Sequence, residues 1–337
     1  MKAFANTQVI LNSRPHGVAQ AENFSIVETR IAGLAPGNIR VKNQYLSVEP
    51  AMRGWIADKG NYSAQVEIGS VMRALAAGTV VESNNGQFSA GDRVMGWFGW
   101  QDYADVEPAA VIRTVCEDDL PLSLSLGVLG INGVTALLAL TKIGAPKSGE
   151  TVLVSTAAGA VGSAAGQIAK IFGCRTVGVT GGPEKAAICL DEYGYDAAID
   201  YRNENMNDAL ERACPNGVNV YYDNTAGSIS DRVMCHLALN ARIIVCGTAA
   251  EPKWDPWPAG PRVERHLLVK RARMEGFVIF DYMDEFDAAA AKLADWVRSG
   301  ELRYREDILD GIEACPDALA GLYRSENFGK RVIRLQD

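Results

Sequence analysis

Between Phe24 and about Val115, apolar and polar residues alternate in short runs, F-S-I-V-E-T-R-I, I-R-V-K-N-Q-Y-L-S-V and A-G-T-V-V-E-S, separated by Gly, Pro and Asn. Period-two alternation with turn punctuation predicts an antiparallel β domain. From Leu124 the pattern changes to a glycine-flanked helix, L-G-V-L-G-I-N-G-V-T-A-L-L-A-L, and then a loop. A buried strand (Thr151 to Ser155), a turn of small residues, a helix from about Ala160 to Phe172 and a second buried strand (Thr176 to Thr180) follow, which together make a βαβ unit. Strand-like runs recur near 197–201, 218–223, 241–247 and 274–280 with helical segments between them, so a doubly wound parallel sheet is expected. The tail from about Leu302 ends in K-R-V-I-R-L, a strand-like run with no helix after it. An orphan strand needs a sheet partner for its backbone, so the tail is expected to return to the β domain. These shifts divide the chain into residues 1–125, 126–301 and 302–337.

The turn of the βαβ unit is A-A-G-A-V-G, the G-x-G-x-x-G nucleotide fingerprint with Ala157 in the first glycine's place and Gly159 and Gly162 in the other two. Gly159 lets the backbone approach a pyrophosphate, Gly162 lets the helix pack closely on the strand, and the helix N-terminus holds the phosphates. A degenerate fingerprint also suits a small-residue helix packed on a sheet. The context favours a nucleotide, because a strand precedes the turn and the small residues Gly162, Ala165, Gly166 and Ala169 recur at helical spacing before the second strand arrives. At the end of that second strand an NAD site normally places an acid on the ribose 2′-hydroxyl. Here Thr180 is followed by Gly181 and Gly182, and Lys185 comes shortly after. NADP is favoured over NAD, with Lys185 either meeting a 2′-phosphate as a point charge or standing as a solvated lysine in the next helix.

Composition narrows the class. At 337 residues, 48% hydrophobic and 22% charged, the chain suits two cored domains and is too balanced for disorder. A net charge of −8 without a long basic run argues against nucleic acid or an anionic membrane as partner. The one basic cluster, R-V-E-R-H-L-L-V-K-R-A-R (262–273), reads as a solvated helix face or an anion site. The seven cysteines are widely spaced without a C-x-x-C pair, which fits a reducing cytoplasm, and neither a leader pattern nor a span of membrane length is present.

The order of a β domain, a Rossmann domain carrying A-x-x-G-x-x-G and a returning tail resembles the medium-chain dehydrogenase/reductase superfamily over the whole chain. The stretches L-S-V-E-P-A-M-R (46–53), G-D-R-V-M-G (91–96), A-A-G-A-V-G-S-A-A-G-Q-I-A-K (157–170), Y-D-N-T-A-G (222–227), R-M-E-G-F-V-I-F (273–280) and N-F-G-K (327–330) are similar to its zinc-independent, NADPH-dependent alkenal/enone reductases. Within that branch of prostaglandin reductases and curcumin reductases, G-W-Q-D-Y (99–103) and L-L-V-K-R-A-R-M (267–274) look most like the curcumin reductase side. The resemblance implies a GroES-like antiparallel β domain beside the Rossmann domain, a homodimer and NADPH as cofactor. It places cofactor contacts on Gly159, Ala160, Val161, Gly162, Ser163, Lys185, Tyr201, Asn224, Cys246, Gly247, Thr248, the strand Phe277, Val278 and Ile279, and Asn327. From sequence alone, Asn224 also suits a turn, Phe277 to Ile279 a core strand and Asn327 a helix C-cap.

The pocket is not a copy of the family's. Ala51 replaces a tyrosine, Ile131, Asn132 and Leu137 depart from G-M-P-G-x-T-A-Y, and a tyrosine proposed for catalysis in the prostaglandin reductases is Val269 here. The first 120 residues hold only His16 and Cys116 among the usual zinc-site cysteines and histidines, so no metal is expected. The expected reaction is hydride transfer from NADPH to the β-carbon of an α,β-unsaturated ketone or aldehyde, with the enolate oxygen held by hydrogen-bond donors. The alternatives are a quinone reductase of the same superfamily and a non-catalytic NADPH-binding scaffold or stress protein. Tyr62, in D-K-G-N-Y-S-A-Q-V-E-I-G, is the candidate acid: a phenol is protonated at neutral pH and can donate without prior activation. It can equally be an aromatic wall, and Tyr282 is the reserve for wall or donor.

Overall fold

The computed structural model describes residues 4–58, 63–250 and 258–336. It divides into two compact units, Met1–Gly127 with Glu306–Asp337, and Val128–Arg305. The first unit opens with β1 (Phe4–Leu11) and β2 (Phe24–Ile31), which pair with each other antiparallel, and continues with β3 (Ile39–Ser47), the one-turn helix α1 (Met52–Trp55), β4 (Leu75–Ser83), β5 (Arg93–Trp97), β6 (Tyr103–Val106) and β7 (Val111–Thr114). In β2 burial alternates from residue to residue, as expected for a strand with one face in the core. Val41, Leu46, Val80, Phe98 and Trp100 fill that core.

Register in this unit is pinned by a buried charge. Arg40 on β3 donates from Nε and Nη2 to both oxygens of Asp105 on β6, at 2.6 and 2.8 Å, and from Nη1 to Glu82 on β4, at 2.7 Å. Arg40 is 1% exposed, so shifting either neighbouring strand by one residue would strand its charge in the core.

The second unit begins with α2 (Ile131–Ala139), then alternates β8 (Thr151–Ser155), α3 (Ala160–Ile171), β9 (Arg175–Thr180), α4 (Pro183–Asp191), β10 (Ala197–Asp200), α5 (Met206–Ala213), β11 (Val218–Asp223), α6 (Gly227–Cys235), β12 (Leu237–Val245), α7 (Glu264–Lys270), β13 (Arg273–Gly276) and α8 (Phe286–Ser299). Its six strands are parallel in the order β10-β9-β8-β11-β12-β13, the strand order of a Rossmann sheet, with the reversal between β8 and β11. All five residues of β8 are buried, which is why its sequence lacks the alternation of the first unit. The chain then returns to the first unit as β14 (Glu306–Asp310), α9 (Cys315–Tyr323) and β15 (Lys330–Arg334), and β15 lies between β14 and β3.

The two-domain α/β class expected from the sequence is found, and two of its local expectations are corrected. The run 274–280 is not one strand: β13 stops at Gly276, Phe277 N–H makes a last bond to Val245 O at 3.0 Å, and a 3-10 turn takes Ile279–Glu285. The helix expected from Leu124 begins at Ile131, after a separate 3-10 turn over Leu122–Leu126. The basic cluster does form an exposed helix, α7, with no buried residue. All seven cysteines are free; Cys116 and Cys235 are exposed.

Close helix-to-sheet packing in the second unit depends on Gly166. A Cβ there would lie 1.9 Å from the ring of Tyr195, whose hydroxyl donates to Gly162 O at 2.7 Å. Gly166→Ala is expected to lower unfolding stability by about 1–3 kcal/mol despite the better helix propensity of alanine. Urea denaturation checks it, and the penalty should vanish in a Tyr195→Ala background.

Candidate cofactor and active site

At the reversal point of the Rossmann sheet the chain leaves β8 through Thr156, a β-branched residue at φ 54°, a conformation held only where its surroundings insist on it. Ala157, the irregular residue of the fingerprint, is fully buried, and its N–H donates to Val179 O at 3.1 Å. The sheet makes room for its methyl opposite Gly178, where a Cβ would come within 2.8 Å of Ala157 Cβ. The substitution is thus compensated on the neighbouring strand. Gly162 is obligatory, since a Cβ would meet Thr156 O at 2.2 Å. Gly159 is the N-cap of α3 and supplies no side-chain cap, and Ala160 and Val161 are half-buried in the first helical turn. Uncommitted first-turn amides at a twelve-residue helix suit a pyrophosphate, so the cradle fits a dinucleotide. Ser163 is buried one turn deeper and bonds Ala160 O at 3.4 Å.

Across the reversal point β11 ends in Asp223, 3% exposed. Its Oδ1 accepts from Tyr221 OH (3.0 Å), Ser155 Oγ (3.3 Å), Thr225 N (2.9 Å) and Ala226 N (2.9 Å), and Oδ2 accepts from Ser230 Oγ (2.5 Å). Asn224, a sequence candidate for the cofactor, donates from its backbone N–H to Ser155 Oγ and from Nδ2 to Ser155 O, both at 2.8 Å. It therefore ties β11 to β8. Cys246 and Gly247, just beyond β12, both donate N–H to Asp223 O, and a Cβ on Gly247 would lie 2.8 Å from Asn224 O. Desolvation pushes the Cys246 thiol up to about 11, so it remains S–H at neutral pH. Thr248 is half-buried in the same loop. The structure brings the candidates from 159–163, 224 and 246–248 together at one end of the sheet.

The tip of β9 carries the second group. Lys185 is half-buried in the first turn of α4, and Tyr201, 37% exposed, follows β10. A carboxylate does reach this tip, from the end of the neighbouring strand β10. Asp200 Oδ1 accepts Gly182 N–H at 2.8 Å and Arg202 N–H at 3.1 Å, while Oδ2 accepts Asn203 Nδ2 at 2.6 Å. Burial pushes its pKa up, but hydrogen bonds from Asn203, Gly182 and Arg202 outweigh this and hold it below the usual carboxylate value.

Phe277 and Ile279 are buried and Val278 is half-buried beyond the end of β13. Tyr282 is half-buried and stacks on Phe277, with ring centroids 5.0 Å apart and planes 8° from parallel. Lys142 Nζ lies 6.0 Å from the Tyr282 ring and pairs with Glu285 at 2.7 Å.

In the first unit Tyr62 lies outside the described residues. Beside that stretch, Arg73 sits 4.7 Å from the Trp55 ring and donates to Ser63 Oγ at 2.9 Å. Asn327 lies past the end of α9, so it is not that helix's C-cap; its Nδ2 donates to Gly329 O at 2.9 Å. A buried ion pair joins two of the family-like stretches. Lys330 Nζ donates to Ser47 Oγ (2.6 Å), Val48 O (3.1 Å) and Glu49 Oε1 (3.3 Å), 281 residues away in the chain. Burial pulls the Lys330 pKa down against the opposing pull of Glu49 and Glu306. Sequence reading missed this pair; the acid at Glu49, set between Val48 and Pro50-Ala51-Met52, was the available signal. Among the described residues no group of three or more His, Cys, Asp or Glu is placed to hold a metal ion.

The antiparallel β unit, the Rossmann sheet with its phosphate cradle and the returning tail define a medium-chain dehydrogenase/reductase. Residues 7–114 match the model for the N-terminal domain of oxidoreductase, and residues 160–295 match that for zinc-binding dehydrogenase. Within the superfamily the chain belongs to the enone and alkenal reductase branch. It is 39% identical over 335 residues to NADPH-dependent curcumin reductase of Escherichia coli, covering 98% of this chain and 97% of that one. It is 36% identical to prostaglandin reductase 1 of Rattus norvegicus, covering 94% and 95%. The crystal structure of CurA in complex with NADPH from Vibrio vulnificus superposes with a TM-score of 0.92 at 37% identity, covering 98% of this chain and 99% of that one. The Escherichia coli quinone oxidoreductase complexed with NADPH, at 20% identity and a TM-score of 0.80, shares the fold alone.

The Lys330–Glu49 pair gives a stability expectation. Lys330→Met leaves Glu49 buried without its cation and should cost about 3–5 kcal/mol in urea unfolding, while adding Glu49→Gln should recover part of that loss. A single variant as stable as the parent would show that the pair holds nothing in place.

Proposed function

We propose that the protein reduces the carbon–carbon double bond of α,β-unsaturated ketones or aldehydes with NADPH and without a metal. The observation that carries this reading is the phosphate cradle at the sheet's reversal point, in a chain alignable from end to end with an NADPH-dependent curcumin reductase. The bound dinucleotide supplies a hydride. The cradle from Gly159 to Ser163 orients its pyrophosphate, Lys185 and Tyr201 meet the 2′-phosphate, and the strand ends around Asn224, Gly247 and Thr248 fix the nicotinamide half. Cys246, Phe277, Val278 and Ile279 line that half, Tyr282 stacks behind Phe277 as pocket wall, and Asn327 is a further cofactor contact. The Tyr62 hydroxyl donates to the substrate carbonyl oxygen as negative charge gathers there. In this metal-free reading, hydrogen bonds carry that charge.

The quinone reductase reading rests on likeness at 20% identity, and no observation of the site favours it or a non-catalytic scaffold. The free cysteines fit a reducing compartment such as the cytoplasm, and no described helix is long and apolar enough to cross a membrane. A homodimer fits the exposed edge of the Rossmann sheet. All four residues of β13 are exposed, Met274 among them, and Leu268 and Val269 on α7 add apolar surface.

Two measurements follow. With an enone substrate in the presence of a strong chelator, the wild-type protein should oxidise NADPH undiminished, and Tyr62→Phe should lower kcat by about ten- to a hundred-fold with little change in NADPH binding. Turnover of quinones alone would move the reading to the alternative; NADPH binding without turnover of either substrate would favour the scaffold. An unchanged kcat in the Phe variant would remove Tyr62 from the chemistry. Sedimentation velocity should report a dimer, and a charge placed on the sheet edge by Met274→Lys should shift it toward monomer; a wild-type monomer would exclude the edge pairing.

A further inference from the structure

The tip of β9 holds a second cation outside the family-derived contacts. We propose that Arg202, braced by Tyr201 and launched by Asp200, grips the 2′-phosphate and is the principal residue that distinguishes NADPH from NADH in this chain. Because the proposal rests on a dinucleotide occupying the cradle, its test separates the two ideas.

Gly181, the first residue beyond β9, locates the site. A Cβ built on it would lie 3.0 Å from Tyr201 OH, 3.0 Å from Tyr201 Cε1 and 3.0 Å from Arg202 Nε. The phenol and the guanidinium therefore lean together over one bare stretch of backbone, which explains why that position is glycine. In a Rossmann unit the end of the second strand is where the adenosine ribose presents its 2′ position. The side chains of Tyr201 and Arg202 are exposed there, and the guanidinium carbon lies 5.8 Å from the phenol ring.

Two acids of this segment, Asp200 and Glu204, have structural roles. Asp200, at the end of β10, is turned inward and 6% exposed, and its oxygens hold Gly182 N–H, Arg202 N–H and the Asn203 amide. It thus fixes the Gly181-Gly182 turn and the backbone from which Arg202 projects, instead of accepting from a ribose hydroxyl. Glu204 gives one oxygen to Asp200 N–H at 2.8 Å and pairs through the other with Arg212 at 2.5 Å.

Arg202 also has the better chemistry for the task. A guanidinium offers a planar fork that matches two phosphate oxygens, whereas Lys185 meets the same group as a single point charge from the first turn of α4. A free 2′-hydroxyl gives that fork little to hold, so the contact discriminates between the cofactors as well as adding affinity.

The experiment is a set of dissociation constants for the full chain, measured by calorimetry or by quenching of NADPH and NADH fluorescence. The probes are 2′,5′-ADP against 5′-AMP, and NADPH against NADH. Arg202→Gln should weaken 2′,5′-ADP and NADPH by about tenfold or more while 5′-AMP and NADH change by less than about twofold, as expected for loss of a charge-assisted contact to phosphate. Arg202→Lys should fall between, and the loss in Arg202→Gln should exceed that in Lys185→Ala. Unchanged NADPH binding in Arg202→Gln overturns the proposal, as does an equal loss for both members of each pair, which would signify a collapsed turn. A larger loss in Lys185→Ala would transfer the leading role to that lysine and also overturn it. If wild-type protein binds NADH as tightly as NADPH, the NADPH reading itself fails and this assignment falls with it; a wild-type preference retained in Arg202→Gln defeats the Arg202 assignment alone.

Discussion

A buried carboxyl group held by several hydrogen-bond donors sits at the centre of the Rossmann unit, and the local structure there follows from the need to satisfy it. Removing the Asp223 carboxyl group from water is tolerable only if hydrogen-bond partners replace the water, and hydroxyls from Tyr221, Ser155 and Ser230 join the amides of Thr225 and Ala226 to do so. Meeting that demand curls the chain after β11 tightly enough to leave Ala226 at φ 58°, a conformation unusual for a residue with a side chain. The same curl places Asn224 against β8, and the Asp223 carbonyl receives the amides that begin the loop after β12. Three strand ends are held in register by one residue, which is how a loop-built site acquires the rigidity of a sheet.

The first unit solves a comparable problem with paired charges. Arg40 crosses three strands by meeting Asp105 and Glu82, and Lys330 fastens β15 to the Ser47–Glu49 segment. Each pair is more useful for uniqueness than for net stability, because apolar residues of similar size would fill such places without a desolvation cost. What the charges supply is intolerance of the wrong register, valuable in a sheet assembled from segments far apart in sequence.

How much of this could be read from the chain depended on whether the cause was local. The βαβ unit was legible to within about a residue, because T-V-L-V-S, the small-residue turn and the glycine-spaced helix are each dictated by neighbours in sequence. The alternating runs of the first unit were legible for the same reason. Phe277 to Ile279 misled because an apolar run does not say where its ladder partner stops, and β12 ends at Val245. The tolerance of Ala157 was invisible because it depends on Gly178, a residue on the adjoining strand. Asp200 was not legible as a residue of the β9 tip, because the carboxylate arrives from β10; only the fold makes those two places adjacent. Lys330 and Glu49 are separated by most of the chain, and no periodicity links them.

The position of β15 has a consequence for how the protein is made. That strand lies inside the seven-stranded sheet, between β14 and β3, so the first unit lacks an interior strand until its last segment has been synthesised. The Rossmann unit, by contrast, is continuous from Val128 to Arg305. At ordinary rates of translation, roughly ten to forty seconds separate the synthesis of Gly127 from that of Arg334. During that interval the Tyr45–Ser47 stretch of β3 waits for β15, and the order of completion reverses the order of the chain: the second unit can finish folding on the ribosome while the first waits.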